Sequence, residues 1–379
     1  MTMTMTVPAR FVGVHLPTTT EESELQVRDR LARSLRKRRM EHYGKSDCFG
    51  GFLGSEEELD DGLETGQISG TDQRRVFNRA RRFFHAKTKA ISAVSHIKSD
   101  DRKILMAAGC GSHARGVVDR DGMEERIAAL HNEYPWLAPA STAVMQHMRG
   151  RTMDGPAPLH TPPLILLGPP GIAKSSWARA VARIFDVASV EVDIGASNGA
   201  TFSISGMERG WSSAAPGRVV QTMLRERTSN PLVVIDEIDK IPEQISTSKG
   251  SMLPGAYEVL KSMIEPTSAF GWTCPCYQVP FDLTGVSWVM TTNSLDRMPS
   301  AFLDRCKVVR LGDPTLEQLM VIGRDMISQR LPDTLQDAGQ EAIVDGLQQW
   351  SSQHRRVSLR MVERMADRIS EILNRPRLI

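Results

Sequence analysis

From residue 164 onward, short apolar runs alternate with stretches whose apolar residues recur at about 3.6-residue spacing. The runs are "LILLG" (164–168), "SVEVDI" (189–194), "PLVVIDE" (231–237), "GVSWVMTTN" (285–293) and "CKVVRL" (306–311). Helical patterns start at Lys174 and recur near 217–226 and 256–264. Strands that are apolar on both faces and alternate with helices predict an α/β fold: a parallel sheet covered on both sides. After Leu311 the pattern is helical only. Thr315 and Gln318 fit a capping box ahead of Leu319, Ile322, Met326 and Ile327, and the last helix puts Leu359, Val362, Ala366, Ile369 and Leu373 on one face. A small helical lid domain is therefore expected after the sheet.

Upstream the pattern is different. Residues 1–20 have no periodicity and are expected to be poorly ordered. A helix is expected from Glu21 to about Tyr43, crowded with Arg28, Arg30, Arg33, Arg36, Lys37, Arg38 and Arg39. A glycine-rich acidic stretch (44–66) reads as a loop or linker. A second helix, from Asp72 to about His96, carries Val76, Phe77, Ala80, Phe83, Phe84, Ile91 and Val94 at helical spacing. Its other faces hold Arg74, Arg75, Arg79, Arg81, Arg82, Lys87 and Lys89, which suit either a solvated surface or an anionic partner such as nucleic acid. "EYPWLAPASTAVMQHMRG" (133–150) reads as a helix with a proline-bearing entry, and "DGPAPLHTPP" (154–163) as a stiff linker. The expected division is a mainly helical N-terminal region at 1–130, an α/β domain at 131–311 and a helical domain at 312–379.

Composition changes little. Hydrophobic residues make up 40% and charged residues 24%, and the net charge of +2 singles out no partner. Five cysteines are too scattered for a disulfide framework, and Cys274-Pro-Cys276 has no second pair to make a zinc site. With no apolar run of about 18 residues and no basic start followed by a long apolar core, neither a membrane partner nor a secretory signal is expected. The expected location is cytoplasmic.

Candidate chemistry begins at "GPPGIAKSS" (168–176), between a strand and a helix, the context a phosphate loop needs. Gly168, Pro169, Pro170, Gly171, Ile172 and Ala173 would form the turn. Its free backbone N–H groups and the helix N-terminus make an anion-binding concavity, continued by Lys174, Ser175 and Ser176. Lys174 would reach the β- and γ-phosphates of ATP, and Ser175 would offer its hydroxyl to Mg²⁺. The usual G-x-x-x-x-G-K-[ST] pattern is altered by Ala173 in place of the second glycine. Asp236 and Glu237 end the third apolar run, where two adjacent carboxylates are hard to explain as packing. Asp236 is placed to hold Mg²⁺ and Glu237 to deprotonate an attacking water. Asn293, at the end of the next run, could position that water, and Arg305 follows twelve residues later. Polar residues at several strand ends converging on one crevice are the signature of a ligand site.

These motifs, in this order, resemble an AAA+ ATPase from about residue 160 to 379, and more narrowly the ATPase module of Lon proteases. "PLVVIDEIDK" is similar to Lon's second nucleotide motif. The stretch 277–311 resembles the region around its sensor 1 and arginine finger, and "SLRMVER" its sensor 2 segment, which makes Arg360 the candidate there. "GWSSAAPGRVVQTM" is similar to the segment with the aromatic pore loop, putting Trp211 in the pore. The phosphate loop is closer to those of MoxR and MCM families, which also carry alanine at the Ala173 position. The resemblance implies a P-loop NTPase fold with a C-terminal lid, ATP and Mg²⁺ as cofactors, and a homo-oligomer, usually a hexameric ring. It further implies that Arg305 acts on a neighbour's nucleotide and Arg360 on its own. Only fifteen residues follow Arg364, so no peptidase domain is expected. The expected activity is ATP hydrolysis that remodels a protein substrate, alone or with a separately encoded partner; a nucleic-acid motor or loader is the alternative.

Overall fold

The computed structural model describes residues 4–13, 23–46, 69–153, 155–193, 200–209, 214–241, 245–246, 252–253, 255–353 and 356–374. The chain divides into two compact units, one formed by residues 1–13 with 107–379 and the other by 14–106. Residues 107–130 thus belong to the larger unit.

The larger unit is built on five parallel strands: β1 (Leu164–Leu167), β2 (Ser189–Asp193), β3 (Leu232–Asp236), β4 (Ser287–Thr292) and β5 (Lys307–Arg310). Their order is β5-β1-β4-β3-β2. Leu164 pairs with Val289 on one side and Lys307 on the other, and Leu232 pairs with Ser287 and Ser189. Because every pair is parallel, all strands end on one edge. The apolar runs follow from burial: Leu164, Ile165 and Leu166 are each 0% exposed, as are Val289 and Met290.

Parallel neighbours need crossovers. Three are α1 (Lys174–Phe185), α2 (Arg218–Glu226) and α3 (Ala256–Ile264). From α1, Trp177, Ala178, Val181 and Phe185 join Leu164, Leu166, Val234 and Val289 in one core. The indole N–H of Trp177 donates to Ser141 Oγ at 3.0 Å, which ties α1 to the helix Ala138–Arg151.

The first residues are not the unstructured leader expected. Thr4–Pro8 forms a strand antiparallel to His113–Val117, with Thr4 opposite Val117 and Pro8 opposite His113. Phe11 and Val12 beyond it are each 1% exposed. Five residues are too few to show a period, and their partner lies more than a hundred residues away. The strand His113–Val117 and the helices Ser99–Gly111 and Arg120–Glu133 were likewise not marked by the pattern.

Past the sheet come α4 (Leu316–Arg330), α5 (Asp333–Ser352) and α6 (Leu359–Leu373). The capping box is present: Gln318 N–H donates to Thr315 Oγ1 at 3.2 Å, and Gln318 Oε1 accepts from Thr315 N–H at 2.9 Å. Leu319, Ile327, Ile343, Leu347, Val362 and Ala366 form this lid's own core.

In the smaller unit, the helices Glu24–Ser46 and Gly70–Ala93 pack together. Val27, Val76, Ala80 and Val94 are buried. Phe77 and Phe83, expected on the apolar face, are instead 42% and 47% exposed.

Candidate active site

Residues 168–173 leave β1 and turn into α1 by way of two left-handed residues, Gly171 (φ 76°) and Ala173 (φ 66°). The second is the position where the usual motif has glycine. Alanine here holds a conformation that costs an L-residue about 1–2 kcal/mol. Its methyl packs against the lid core. Gly168 must be glycine, since a Cβ would lie 2.8 Å from the Leu311 carbonyl oxygen.

Lys174, 8% exposed, is the first residue of α1. Its ammonium donates to the carbonyls of Gly168 (2.5 Å) and Pro169 (3.1 Å) and to Asn293 Oδ1 (2.9 Å). Burial pushes its pKa down to about 8, against the opposing pull of Asp236, Asp239 and Glu237; the Arg356 charge adds to the lowering. At the next residue, Ser175 Oγ donates to both oxygens of Asp236, at 2.6 and 2.8 Å. Thr291 Oγ1 donates to Asp236 Oδ1 at 2.5 Å and accepts from the Glu237 N–H at 3.1 Å. Glu237 is itself left-handed (φ 53°), and its Oε2 accepts from Lys240 Nζ at 2.5 Å.

The lid closes one side. Leu359 N–H donates to the Gly171 carbonyl at 3.1 Å. Arg356 Nη2 donates to the Pro170 carbonyl at 3.0 Å and to Asp313 Oδ1 at 2.6 Å, with Arg356 Nε 3.1 Å from Asp313 Oδ2. Trp136, which packs against the lid core, donates its Nε1–H to the Ile172 carbonyl at 2.8 Å. Together these elements enclose a cleft of about 1180 Å³, lined by Lys174, Ser175, Asp236, Glu237, Asn293 and Arg360 with Tyr134, Trp136, Val321 and Met326.

Lys174, Ser175, Asp236, Glu237, Asn293 and Arg360, expected from the sequence, therefore meet in one crevice. Arg305 is not among them: its guanidinium lies against Glu265 Oε2 (2.6 Å) and the Ala301 carbonyl (2.5 Å). Trp211 lies outside the described residues. Sequence reasoning missed Thr291, Trp136 and Arg356. Thr291 had a legible signal, a hydroxyl beside Asn293 at a strand end. Trp136 and Arg356 had none, since each acts on the loop through a main-chain carbonyl.

A cleft at the carboxyl edge of a β5-β1-β4-β3-β2 sheet, with a buried lysine and a hydroxyl–carboxylate pair, is consistent with the α/β fold of P-loop NTPases. Residues 164–312 match the model of the "ATPase family associated with various cellular activities (AAA)". The chain carries an AAA domain. Its match to curated proteins extends beyond that domain. It is 34% identical over 227 residues to the Lon protease of Brevibacillus choshinensis, covering 58% of this chain and 26% of that protein. To the Lon protease of Citrifermentans bemidjiense it is 26% identical over 212 residues, 56% of this chain and 25% of that protein. A mitochondrial Lon protease homolog of Yarrowia lipolytica is 33% identical over 172 residues, 45% of this chain and 14% of that protein. The chain spans about a quarter of the length of the first two relatives. Among the described residues, no helix is long and apolar enough to cross a membrane.

Proposed function

We propose that this Lon-like AAA protein binds ATP with Mg²⁺ in the described cleft and hydrolyses it to ADP and phosphate. The observation that carries this reading is the Lys174–Asn293 and Ser175–Asp236–Thr291 network at the strand ends. Hydroxyl and carboxylate oxygens are the hard ligands Mg²⁺ prefers, so Ser175 and Asp236 fit it as a pair. Mg²⁺, when bound, neutralises phosphate charge. Gly168 to Ser176 wrap the phosphates, and Lys174 transfers its ammonium from the loop carbonyls to the β- and γ-phosphate oxygens. Glu237 accepts the proton of the attacking water once Lys240 releases it, and Asn293 orients that water. Arg360, on the lid side, contacts the nucleotide of its own subunit. Tyr134, Trp136, Val321 and Met326 supply the apolar surface for the base.

Arg305, held outside the cleft, serves the nucleotide of a neighbouring subunit in a ring oligomer, six subunits by the resemblance to Lon. We further propose that the ring remodels protein substrates, gripped by Trp211, without peptidase activity in this chain. The division into an N-terminal region at 1–130, a nucleotide-binding subdomain at 131–311 and a lid at 312–379, and a cytoplasmic location, belong to the same reading.

The test is phosphate release and fluorescent-nucleotide binding on three proteins. Lys174→Ala should lose binding. Glu237→Gln should bind ATP and lose turnover. Equal phosphate release by wild type and Glu237→Gln would refute the assigned base.

A further inference from the structure

The smaller unit carries a surface that the ATPase reading does not use. In the helix Gly70–Ala93, Arg74, Arg75, Arg79, Arg81, Arg82 and Lys89 are all exposed. At 3.6 residues per turn they fall within an arc of roughly 160°, on the side opposite Val76 and Ala80. The stripe from 74 to 89 is about 22 Å long at 1.5 Å per residue. The one acidic residue of this helix, Asp72, is 4% exposed, and its carboxylate accepts from Ser69 Oγ at 2.9 Å and lies 3.7 Å from Arg75. Arg74, Arg79, Arg81, Arg82 and Lys89 have no ion-pair partner among the described residues. The spacings 75/79 and 79/82 set like charges one turn apart, which costs helix stability.

Two aromatic rings border the stripe. Phe77 and Phe83 are 42% and 47% exposed and fall just beyond the two edges of the arc. The neighbouring helix Glu24–Ser46 adds Arg28, Arg30, Arg33, Arg36, Lys37 and Arg38, all exposed, against Glu24 and Asp29. A chain whose net charge is only +2 thus concentrates cations on these two helices. A cationic stripe edged by exposed rings matches a polyanion that also offers flat apolar faces. A single strand of nucleic acid offers both: phosphates meet the arginines, and unpaired bases stack on the phenylalanines.

We infer that the exposed side of the helix Gly70–Ala93 binds the phosphate backbone of single-stranded nucleic acid. The inference rests on this unit alone and is independent of the phosphate loop. Full-length protein would be titrated into fluorescent oligo-dT, a random single strand and a duplex of equal length, following anisotropy from 50 to 200 mM salt. Six phosphate contacts predict a log–log salt slope near −4 for a single strand, a loss of roughly 250-fold over that range. The variant R74Q/R81Q/R82Q should bring the slope to about −2, and R74K/R81K/R82K should restore it. F77A/F83A should weaken single-strand binding by roughly tenfold or more and leave the slope unchanged. Unaltered far-UV circular dichroism and an unaltered thermal shift with Mg–ATP would confirm that the variants are folded. The wild-type slope requires no variant at all.

No single-strand binding at 50 mM salt would overturn the proposal. So would a slope indifferent to the glutamine variant, or duplex binding tighter than single-strand binding and insensitive to F77A/F83A. Equal affinity for polyglutamate or for vesicles with anionic headgroups would assign the surface to a different partner.

Discussion

Thr291→Val isolates one hydroxyl at the centre of the candidate site. Thr291 is 2% exposed in a strand with no exposed positions, so the isosteric valine fits without repacking. What disappears is the donor to Asp236 Oδ1 (2.5 Å) and the acceptor for the Glu237 N–H (3.1 Å). A bond to an ionised carboxylate contributes about 1.5–3 kcal/mol and a neutral one about 0.5–1.5 kcal/mol. Ser175 still donates to both Asp236 oxygens, so the carboxylate is not left bare. The expected loss is therefore about 2–4 kcal/mol. Thr291→Ser keeps the hydroxyl and sheds one methyl, for about 1 kcal/mol. Urea unfolding followed by circular dichroism and by tryptophan fluorescence measures both variants, with an unchanged denaturant slope as the sign that only the native state was altered. On the functional side, Thr291→Val should weaken Mg–ATP more than metal-free ATP, because Asp236 loses one of the two side chains that aim it. A loss below about 1 kcal/mol, or serine as damaging as valine, would refute the reasoning.

The imidazoles of His147 and His160 share a hydrogen bond of 3.1 Å, and burial, with the Arg151 charge, pushes the His160 pKa down to about 4. Below pH 6.5 the unfolded chain takes up a proton that the native His160 refuses, so stability should fall as pH drops from about 6.5 to 4. His160→Gln should flatten that acid limb in urea titrations; an unchanged limb would count against the assignment. Ala173→Gly relieves about 1–2 kcal/mol of left-handed strain. It adds about 0.4–1 kcal/mol of unfolded-chain entropy and uncovers a methyl worth about 0.8 kcal/mol. Its unfolding free energy should therefore move by less than about 1 kcal/mol, whereas Ala173→Val, β-branched at positive φ, should destabilise clearly. Mixing Arg305→Ala with Lys174→Ala subunits should restore some phosphate release where the two co-assemble; verified mixed rings without recovery would remove Arg305 from the neighbour's site.

Much of the site could be read because it is made of contiguous or strand-terminal residues. The phosphate loop is one unbroken stretch, 168–176, and its lysine and serine are spaced by the helix they begin. Asp236 and Asn293 stood out as polar residues ending apolar strands, and the parallel pairing brings both to one edge. Trp136 and Arg356 could not be read this way. Both hold the loop by its carbonyls, at Ile172 and Pro170, and a main-chain acceptor leaves no mark on the sequence of either partner.

Local pattern determined the elements themselves. Short apolar runs became β1 to β5, the central β1 and β4 buried on both faces and the edge strands β2 and β5 partly exposed. The capping residues Thr315 and Gln318 opened α4, and the 3.6-residue stripes gave the lid helices their faces. These choices depend on residues a few positions apart, so periodicity and propensity decide them. Tertiary structure decided what depends on distant partners. It set the β5-β1-β4-β3-β2 order, recruited Thr4–Pro8 to pair with His113–Val117, and left Phe77 and Phe83 exposed although their spacing suits a core. It also held Ala173 in a left-handed conformation that alanine by itself disfavours, because the Trp136 bond to Ile172 and the packing of Ala173 against the lid constrain the loop that contains it.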